Sequence, residues 1–129
     1  MRATKKTQYA LRAMIILARE KKNTCSLRLI AEEEDISFDY LEKVFSRLEK
    51  KGLVFSKRGA TGGYVIARNP EKITLKDIFI AVEEPFSIVD CLGKNCPRDS
   101  GCKAAKAWKK VNERVEDALF SVKLADLIK

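Results

Sequence analysis

The fold of this chain is decided by residues 26–67, which have the sequence SLRLIAEEEDISFDYLEKVFSRLEKKGLVFSKRGATGGYVIA. Ser26 is a good helix N-cap, and the apolar residues after it recur at helical spacing as far as Glu34. A two-residue turn then separates this short helix from a second, amphipathic helix, which begins after Ser37 and stops at Gly52. Two helices joined by a short turn, the second of them amphipathic, are typical of a helix-turn-helix unit.

The continuation of the same stretch predicts a β-hairpin. Two short apolar runs typical of strands, residues 53–55 and 64–67, flank the segment SKRGATGG. Lys57 and Arg58 make the tip basic, and its glycines permit close approach of another backbone. An ordinary tight turn is the alternative explanation of such glycines. A basic hairpin directly after a helix-turn-helix favours a wing, with the helix in the major groove of DNA and the hairpin at a neighbouring groove.

Outside this stretch the chain is predicted to be helical. A deeply packed helix covers about residues 4–22, and another, capped by Thr74, covers residues 75–84. A long helix over residues 103–127 carries one apolar seam on an otherwise charged surface. The seam consists of Trp108, Val111, Val115, Leu119 and Val122. Packing on its own domain is one explanation, but we favour antiparallel pairing in a homodimer, because one small domain cannot easily bury so long a seam.

These elements divide the chain into three units, and the fold class is mainly α with a small β-hairpin. A winged helix-turn-helix DNA-binding domain covers residues 1–84, a cysteine-bearing loop residues 85–102, and a dimerisation helix residues 103–129. The net charge is +8, and residues 1–70 carry 15 Lys and Arg against 8 Asp and Glu. Lys and Arg neutralise phosphates, so a polyanion is the expected partner of that half, although a solvated basic surface has the same composition.

Three of the four cysteines, Cys91, Cys96 and Cys102, lie in the predicted loop, whereas Cys25 stands alone and is expected to be a small packed residue. Three thiols in a loop rich in Gly, Pro, Lys and Asn are not typical of packing, and an odd number cannot all form disulfides. Thiolates select zinc or an iron–sulfur cluster. A structural zinc site takes four protein ligands, yet this chain has no C-x2-C pair and no histidine. The residues therefore favour an iron–sulfur cluster with one non-cysteine ligand.

Essentially the whole chain resembles the Rrf-two family of bacterial transcription regulators, which includes the IscR, NsrR and CymR branches. The resemblance rests on the stretches KTQYALRA (6–13), ISFDYLEKVFSRL (36–48), GLV (52–54), RGATGGY (58–64), ITLKDI (73–78) and LADL (124–127). It implies a dimeric winged-helix fold, palindromic operators in double-stranded DNA and, in many members, an iron–sulfur cluster held by three loop cysteines. The C-x4-C-x5-C spacing resembles the NsrR branch more than the IscR branch.

The resemblance also implies which residues contact DNA. Glu42 and Arg58 are the expected base readers, because a carboxylate accepts from cytosine and a guanidinium forks onto guanine or enters a narrow minor groove. The residues expected on phosphates are Tyr40, Lys43, Arg47 and Thr61. The complete predicted surface consists of Asp39, Tyr40, Glu42, Lys43, Arg47, Arg58, Thr61, Gly62 and Gly63.

The chain departs from the family at the fourth cluster ligand. IscR-like members have a histidine shortly after the third cysteine, where residues 103–107 are KAAKA. The NsrR branch has a carboxylate near the start of the first helix, where this chain has Gln8. Asp90, Asp99, a small thiol or water is left to complete the iron coordination. The cluster type, 4Fe–4S or 2Fe–2S, therefore stays open, and an aerobically prepared sample can lack the cluster.

Together these patterns predict a transcription regulator, expected to be a repressor, that senses redox state, nitric oxide or iron–sulfur status through the loop cluster. The alternative is a cluster-free regulator whose thiols sense oxidants or whose loop binds a partner protein. An enzyme is not favoured, because the chain has no histidine to pair with a nucleophile and no C-x-x-C. The apolar patch at residues 13–18 is too short for a signal peptide or a membrane span, so we expect a cytoplasmic protein without a membrane partner.

Overall fold

The structure is a computed structural model that describes residues 3–20, 24–59, 62–83 and 102–128. The helices are α1 (Lys5–Glu20), α2 (Leu27–Glu34), α3 (Phe38–Lys50), α4 (Leu75–Val82) and α5 (Lys103–Ser121). The strands are β1 (Val54–Lys57) and β2 (Gly63–Ile66), and short 3-10 turns lie at Pro70–Lys72 and Leu124–Leu127. The prediction of a mainly helical chain with one small hairpin is confirmed.

The helix-turn-helix begins and turns where local sequence rules predict. The Ser26 hydroxyl accepts a hydrogen bond from the backbone N–H of Leu29 at 3.3 Å, and the Ser37 hydroxyl accepts one from the backbone N–H of Tyr40 at 3.4 Å. Between the two helices Asp35 has a left-handed backbone with φ of 54°, a conformation that Asp tolerates better than most residues. It ends α2 and reverses the chain into α3 within three residues.

The wing pairs with more of the chain than its own two strands. Strands β1 and β2 are antiparallel, with Val54 opposite Ile66. The Cys25 backbone N–H donates to the Tyr64 carbonyl at 2.9 Å, and the Tyr64 N–H donates to the Cys25 carbonyl at 2.8 Å. A Cβ at Gly63 would lie 2.4 Å from that Cys25 carbonyl oxygen, so only glycine permits this approach. The segment before α2 thus forms an isolated antiparallel β-bridge with β2, which the sequence did not predict.

The core surrounds α1, which contacts α2, α3, α4 and β2. Its buried residues are Thr7, Ala10, Ala13, Met14, Ile16, Leu17 and Ala18, so burial is concentrated between residues 10 and 18. Phe45 of α3 packs edge-on against Tyr64 of β2, with ring centroids 4.8 Å apart, and joins the helices to the wing. In the described part of the chain no helix is long and apolar enough to cross a membrane.

The C-terminal segment corrects the prediction of one helix reaching residue 127. Helix α5 ends at Ser121, and the chain then runs extended beside the start of α4. The Leu75 N–H donates to the Val122 carbonyl at 2.8 Å, and the Leu124 N–H donates to the Ile73 carbonyl at 2.8 Å. Leu124 is buried in the main core. Continuing the helix would forgo this backbone pairing and expose Leu124, so the helix ends early.

Helices α4 and α5 pack against each other in opposite directions. The ammonium of Lys76, near the start of α4, lies 3.4 Å from a carboxylate oxygen of Glu116, near the end of α5. A capping box of Thr74 and Asp77 starts α4. Because the helices are antiparallel, the end of α4 and the beginning of α5 lie at the same end of the pair. The cysteine-bearing stretch of the sequence joins these two ends.

Candidate DNA-binding surface and cysteine loop

Helix α3 has the two faces that a recognition helix needs. Leu41, Val44, Phe45 and Leu48 are fully buried, and these positions recur at helical spacing. The opposite face is exposed and consists of Asp39, Glu42, Lys43, Ser46 and Arg47. Ser46 was not predicted, although it lies one helical turn after Glu42 and the 3.6-residue period would have identified it. The face therefore presents carboxylate, hydroxyl and cationic groups together.

Tyr40 lies at the edge of this surface and not on it. Its ring is half-buried and meets the Tyr9 ring edge-on, with centroids 5.6 Å apart. Burial raises the pKa of the Tyr40 hydroxyl; the nearby Tyr9 and Glu83 raise it further, while Arg47 lowers it. The phenol therefore remains protonated at neutral pH and can donate a hydrogen bond.

The recognition helix contacts the end of α4 directly. One guanidinium nitrogen of Arg47, Nη1, donates to the carbonyl oxygen of Val82 at 3.3 Å. The next residue, Glu83, accepts hydrogen bonds from the Thr4 hydroxyl and from the Thr7 hydroxyl, the latter at 3.2 Å. The last residues described before the cysteine loop therefore touch both the recognition helix and the start of α1.

The wing is positioned by two polar contacts at its base and tip. A carboxylate oxygen of Glu49, near the end of α3, accepts from the backbone N–H and the hydroxyl of Ser56 in β1, each at 3.2 Å. At the tip, the Gly62 N–H donates to the Gly59 carbonyl at 2.9 Å. A Cβ on Gly62 would come within 2.8 Å of the Lys57 carbonyl oxygen, so Gly62 is required by the turn itself. The wing is therefore linked to the recognition helix.

The predicted wing residues fall into two groups. Arg58 is exposed, as is its neighbour Lys57, so both cations can reach a DNA backbone or groove. Gly63 lies against the Cys25 backbone and acts through the fold of the wing. Thr61 lies outside the described residues, so its predicted phosphate contact stays a prediction.

The cysteine loop is described only at its end. Cys102 is the N-cap residue of α5, is half-buried and is not in a disulfide. Cys91, Cys96 and the candidate oxygen ligands Asp90 and Asp99 lie outside the described residues. Within the described ranges, no three metal-ligating side chains come together. The three-cysteine ligand set therefore stays a prediction.

Two residues singled out from the sequence have other partners. The side-chain amide of Gln8 donates to the Ala3 carbonyl at 2.9 Å, which holds it against its own N-terminal segment. The Cys25 thiol is half-buried, and burial, with Glu20 and Glu33 nearby, raises its pKa. Cys25 is therefore partly packed, as the sequence predicted for a small residue between two helices.

The predicted seam of α5 is largely uncovered. Trp108 is 42% exposed and Val111 is 45% exposed, while Val115, Leu119 and Val122 are half-buried. Phe120, which was not in the predicted seam, is 64% exposed. Only Ala105 is buried among the residues of this helix. A row of large apolar side chains at the surface is typical of an interaction face.

This architecture, a recognition helix joined to a basic wing, defines a winged helix-turn-helix DNA-binding protein. The sequence model of the Rrf2 family, described as iron-dependent transcriptional regulators, matches residues 3–129. The chain belongs to the Rrf2 family, as its resemblance to the Rrf-two regulators predicted.

Several relatives cover nearly the whole chain. The HTH-type transcriptional regulator IscR of Xenorhabdus nematophila is 37% identical over 131 residues, which is 100% of this chain and 80% of the relative. The structure of CymR (YrzC), the global cysteine regulator of B. subtilis, has a TM-score of 0.80 at 36% identity, covering 99% of this chain and 96% of that one. The structure of T. potens IscR has a TM-score of 0.79 at 33% identity, covering 99% and 86%.

These comparisons confirm a DNA-binding transcription regulator, and they agree with the prediction that the protein is not an enzyme, since the relatives are regulators. They do not test the assignment to the NsrR branch by cysteine spacing, which stays a prediction.

Proposed function

We propose that this chain is a homodimeric repressor that binds a palindromic operator and senses redox state, nitric oxide or iron–sulfur supply. The sensor is a cluster held by Cys91, Cys96 and Cys102. The observation that carries the proposal is the hydrogen-bonded contact between the end of α4, where the loop begins, and the recognition helix. It connects the residues that lead into the loop to the DNA-binding surface.

DNA recognition uses α3 and the wing as one unit. The Glu49–Ser56 hydrogen bonds hold helix and wing together, so both meet DNA in one fixed orientation. Glu42 and Arg58 are exposed and read base edges, while Lys43 and one part of the Arg47 guanidinium contact phosphates. The rest of that guanidinium is occupied by the Val82 carbonyl, so Arg47 contributes less to DNA affinity than a solvated arginine would.

Dimerisation uses the apolar seam of α5. In the monomer Trp108 and Val111 expose close to half their surface, and pairing with a second copy removes this surface from water. Two-fold pairing of the helices also places two recognition helices for two half-sites, which matches a palindromic operator. The early end of α5 at Ser121 is compatible with this role, because four of the five seam residues precede that point.

The described end of the loop suits a cluster. Cys102 is the N-cap of α5 and its side chain makes no hydrogen bond to the first turn, so its thiolate lies beside the positive end of the helix. The antiparallel α4 and α5 bring the two ends of the loop to the same end of the helix pair. Three thiolates with no histidine in the chain are a donor set for iron–sulfur chemistry. When bound, the cluster supplies iron with which nitric oxide or oxygen can react.

Signal transmission follows from what the loop adjoins. The cysteine-bearing loop begins two residues after Glu83, which binds the Thr4 and Thr7 hydroxyls, and three residues after Val82, which binds Arg47. Ordering or releasing the loop therefore changes restraint on the position of α3 relative to α1. A differential stability of about 1–3 kcal/mol between the two states changes operator affinity by about five- to 150-fold.

The test uses the full chain purified without oxygen. We expect a coloured protein with iron and visible absorbance, whose operator affinity in a fluorescence-anisotropy titration changes when nitric oxide bleaches that absorbance. The Cys91→Ser/Cys96→Ser/Cys102→Ser variant should lack both colour and response. The matched control is Cys25→Ser, which removes a thiol outside the loop and should behave as wild type. A triple variant that responds like wild type would refute the cluster assignment.

A cluster-free thiol regulator is the second candidate, favoured by the likeness to CymR, described as a global cysteine regulator. A colourless, iron-free anaerobic protein whose operator affinity responds to hydrogen peroxide and not to nitric oxide would establish it.

A further inference from the structure

A cavity of about 410 Å³ lies on the face of the wing opposite the recognition helix contact. It is bounded by the end of α1, the two strands of the wing and the 3-10 turn that follows them. Its apolar lining consists of Ala18, Phe55, Val65, Ile66 and Pro70, and its polar lining of Lys57, Arg68 and Asn69. This volume falls within the ordinary range of small-molecule sites, roughly 300–1,000 Å³.

The strand register explains why the cavity is apolar. Phe55 lies directly opposite Val65 in the hairpin, so both side chains share one face of the two-stranded sheet. The neighbouring positions Val54 and Tyr64 belong to the other face, which packs on the core. Phe55 nevertheless remains 43% exposed, so the protomer leaves an aromatic wall of the cavity uncovered.

The charges at the cavity indicate the ligand class. Lys57 and Arg68 both line it, and no carboxylate is among the lining residues. Within the described part of the chain, neither cation forms an ion pair, since the ion pairs there involve Arg12 with Glu34 and Lys76 with Glu116. A neutral apolar ligand would leave both cations unpaired, whereas an acid would pair with one of them while its apolar part covers the exposed ring of Phe55.

We propose that this cavity binds a small organic acid with an apolar body and one carboxylate. The apolar body lies against the exposed ring of Phe55, and the carboxylate pairs with one of the two cations, which the strand register places at opposite ends of the hairpin. None of the lining residues belongs to the cysteine-bearing stretch of the sequence. Its test needs no DNA, so it succeeds or fails independently of the operator and cluster proposals.

The experiment is isothermal titration calorimetry on the full chain with octanoate as the probe, and with octanamide and acetate as controls. Octanamide keeps the apolar body without the charge, and acetate keeps the charge without the body. We expect octanoate to bind with a dissociation constant on the order of 1 mM or tighter, and each control to bind at least about tenfold more weakly. Absence of octanoate binding, or equal binding of octanamide, would overturn the proposal.

Two pairs of variants locate the site. Lys57→Gln/Arg68→Gln should weaken octanoate about tenfold or more, whereas Lys72→Gln/Lys110→Gln, with the same loss of charge at exposed positions outside the lining, should not. Phe55→Ala should weaken octanoate, while Leu29→Ala, an exposed apolar residue outside the lining, should leave it unchanged. Equal affinities within either pair would overturn the proposal.

Another occupant is distinguishable by the same variants. If a second copy of the chain filled the cavity, Phe55→Ala would dissociate an assembly in sedimentation velocity, and octanoate would not bind the assembled protein. That result would also overturn the small-acid proposal.

Discussion

Replacement of Gly63 by alanine should detach the wing from the segment before α2. The new Cβ would lie 2.4 Å from the Cys25 carbonyl oxygen, 2.7 Å from its carbon and 3.0 Å from the Ser26 nitrogen, all of them backbone atoms. The clash can be relieved only if strand β2 and the segment before α2 move apart, and this movement breaks the two Cys25–Tyr64 hydrogen bonds. Two such bonds contribute about 1–3 kcal/mol together, and the non-glycine backbone at this φ adds about 1 kcal/mol or more.

We therefore expect Gly63→Ala to lower the free energy of unfolding by about 2–4 kcal/mol, measured by urea denaturation with circular dichroism. Gly52→Ala is the matched control, because Gly52 has a φ of +74° but no atom within 4 Å of its would-be Cβ. That variant carries the left-handed backbone cost of about 1–2 kcal/mol and no steric conflict. Gly63→Ala should also weaken operator binding measured at a temperature where it is folded, since the wing loses its anchor.

Equal destabilisation by the two alanine variants would refute the close-approach argument. Operator affinity unchanged in folded Gly63→Ala would refute the view that the Cys25–Tyr64 bridge positions the wing.

Three further changes test the remaining contacts. Arg58→Ala should cost about 1–3 kcal/mol of operator affinity in an anisotropy titration, and unchanged binding would contradict the wing assignment. Val111→Asp, at a position 45% exposed in the protomer, should leave the circular dichroism unchanged but shift sedimentation from dimer to monomer. A wild-type protein that sediments as a monomer at micromolar concentration would contradict the assignment of the α5 seam as the dimer interface. Glu83→Gln should keep the iron content but reduce the change in operator affinity on cluster loss, because it weakens the hydrogen bonds from Thr4 and Thr7. The control Glu71→Gln, at an exposed position, should change neither quantity. An unaltered response in Glu83→Gln would contradict signal transmission through Glu83.

Local rules acting over a few residues determined the DNA-binding half of this protein. Hydroxyl caps at Ser26 and Ser37, Asp35 in the turn and the apolar spacing of α3 each act within one or two helical turns. The same reasoning identified Asp39, Glu42, Lys43 and Arg47 on the exposed face of α3, although it missed Ser46 and included the half-buried Tyr40. Family membership was predicted as well, since three of the six motifs that carry it lie in the recognition helix and the wing.

Contacts between distant segments were decided only by the tertiary structure. The pairing of Cys25 with Tyr64 joins residues that no local sequence pattern relates. The residue that permits it, Gly63, is explained equally well by a tight turn. Helix α5 ends at Ser121 although helical spacing continues, because pairing beside Ile73 satisfies backbone groups and Leu124 gains burial in the core. Arg47 has an exposed position on its helix, yet the end of α4 supplies it with a carbonyl partner. Each of these outcomes depends on contacts between segments that are far apart in the sequence, and the residue spacing within one segment does not predict such contacts.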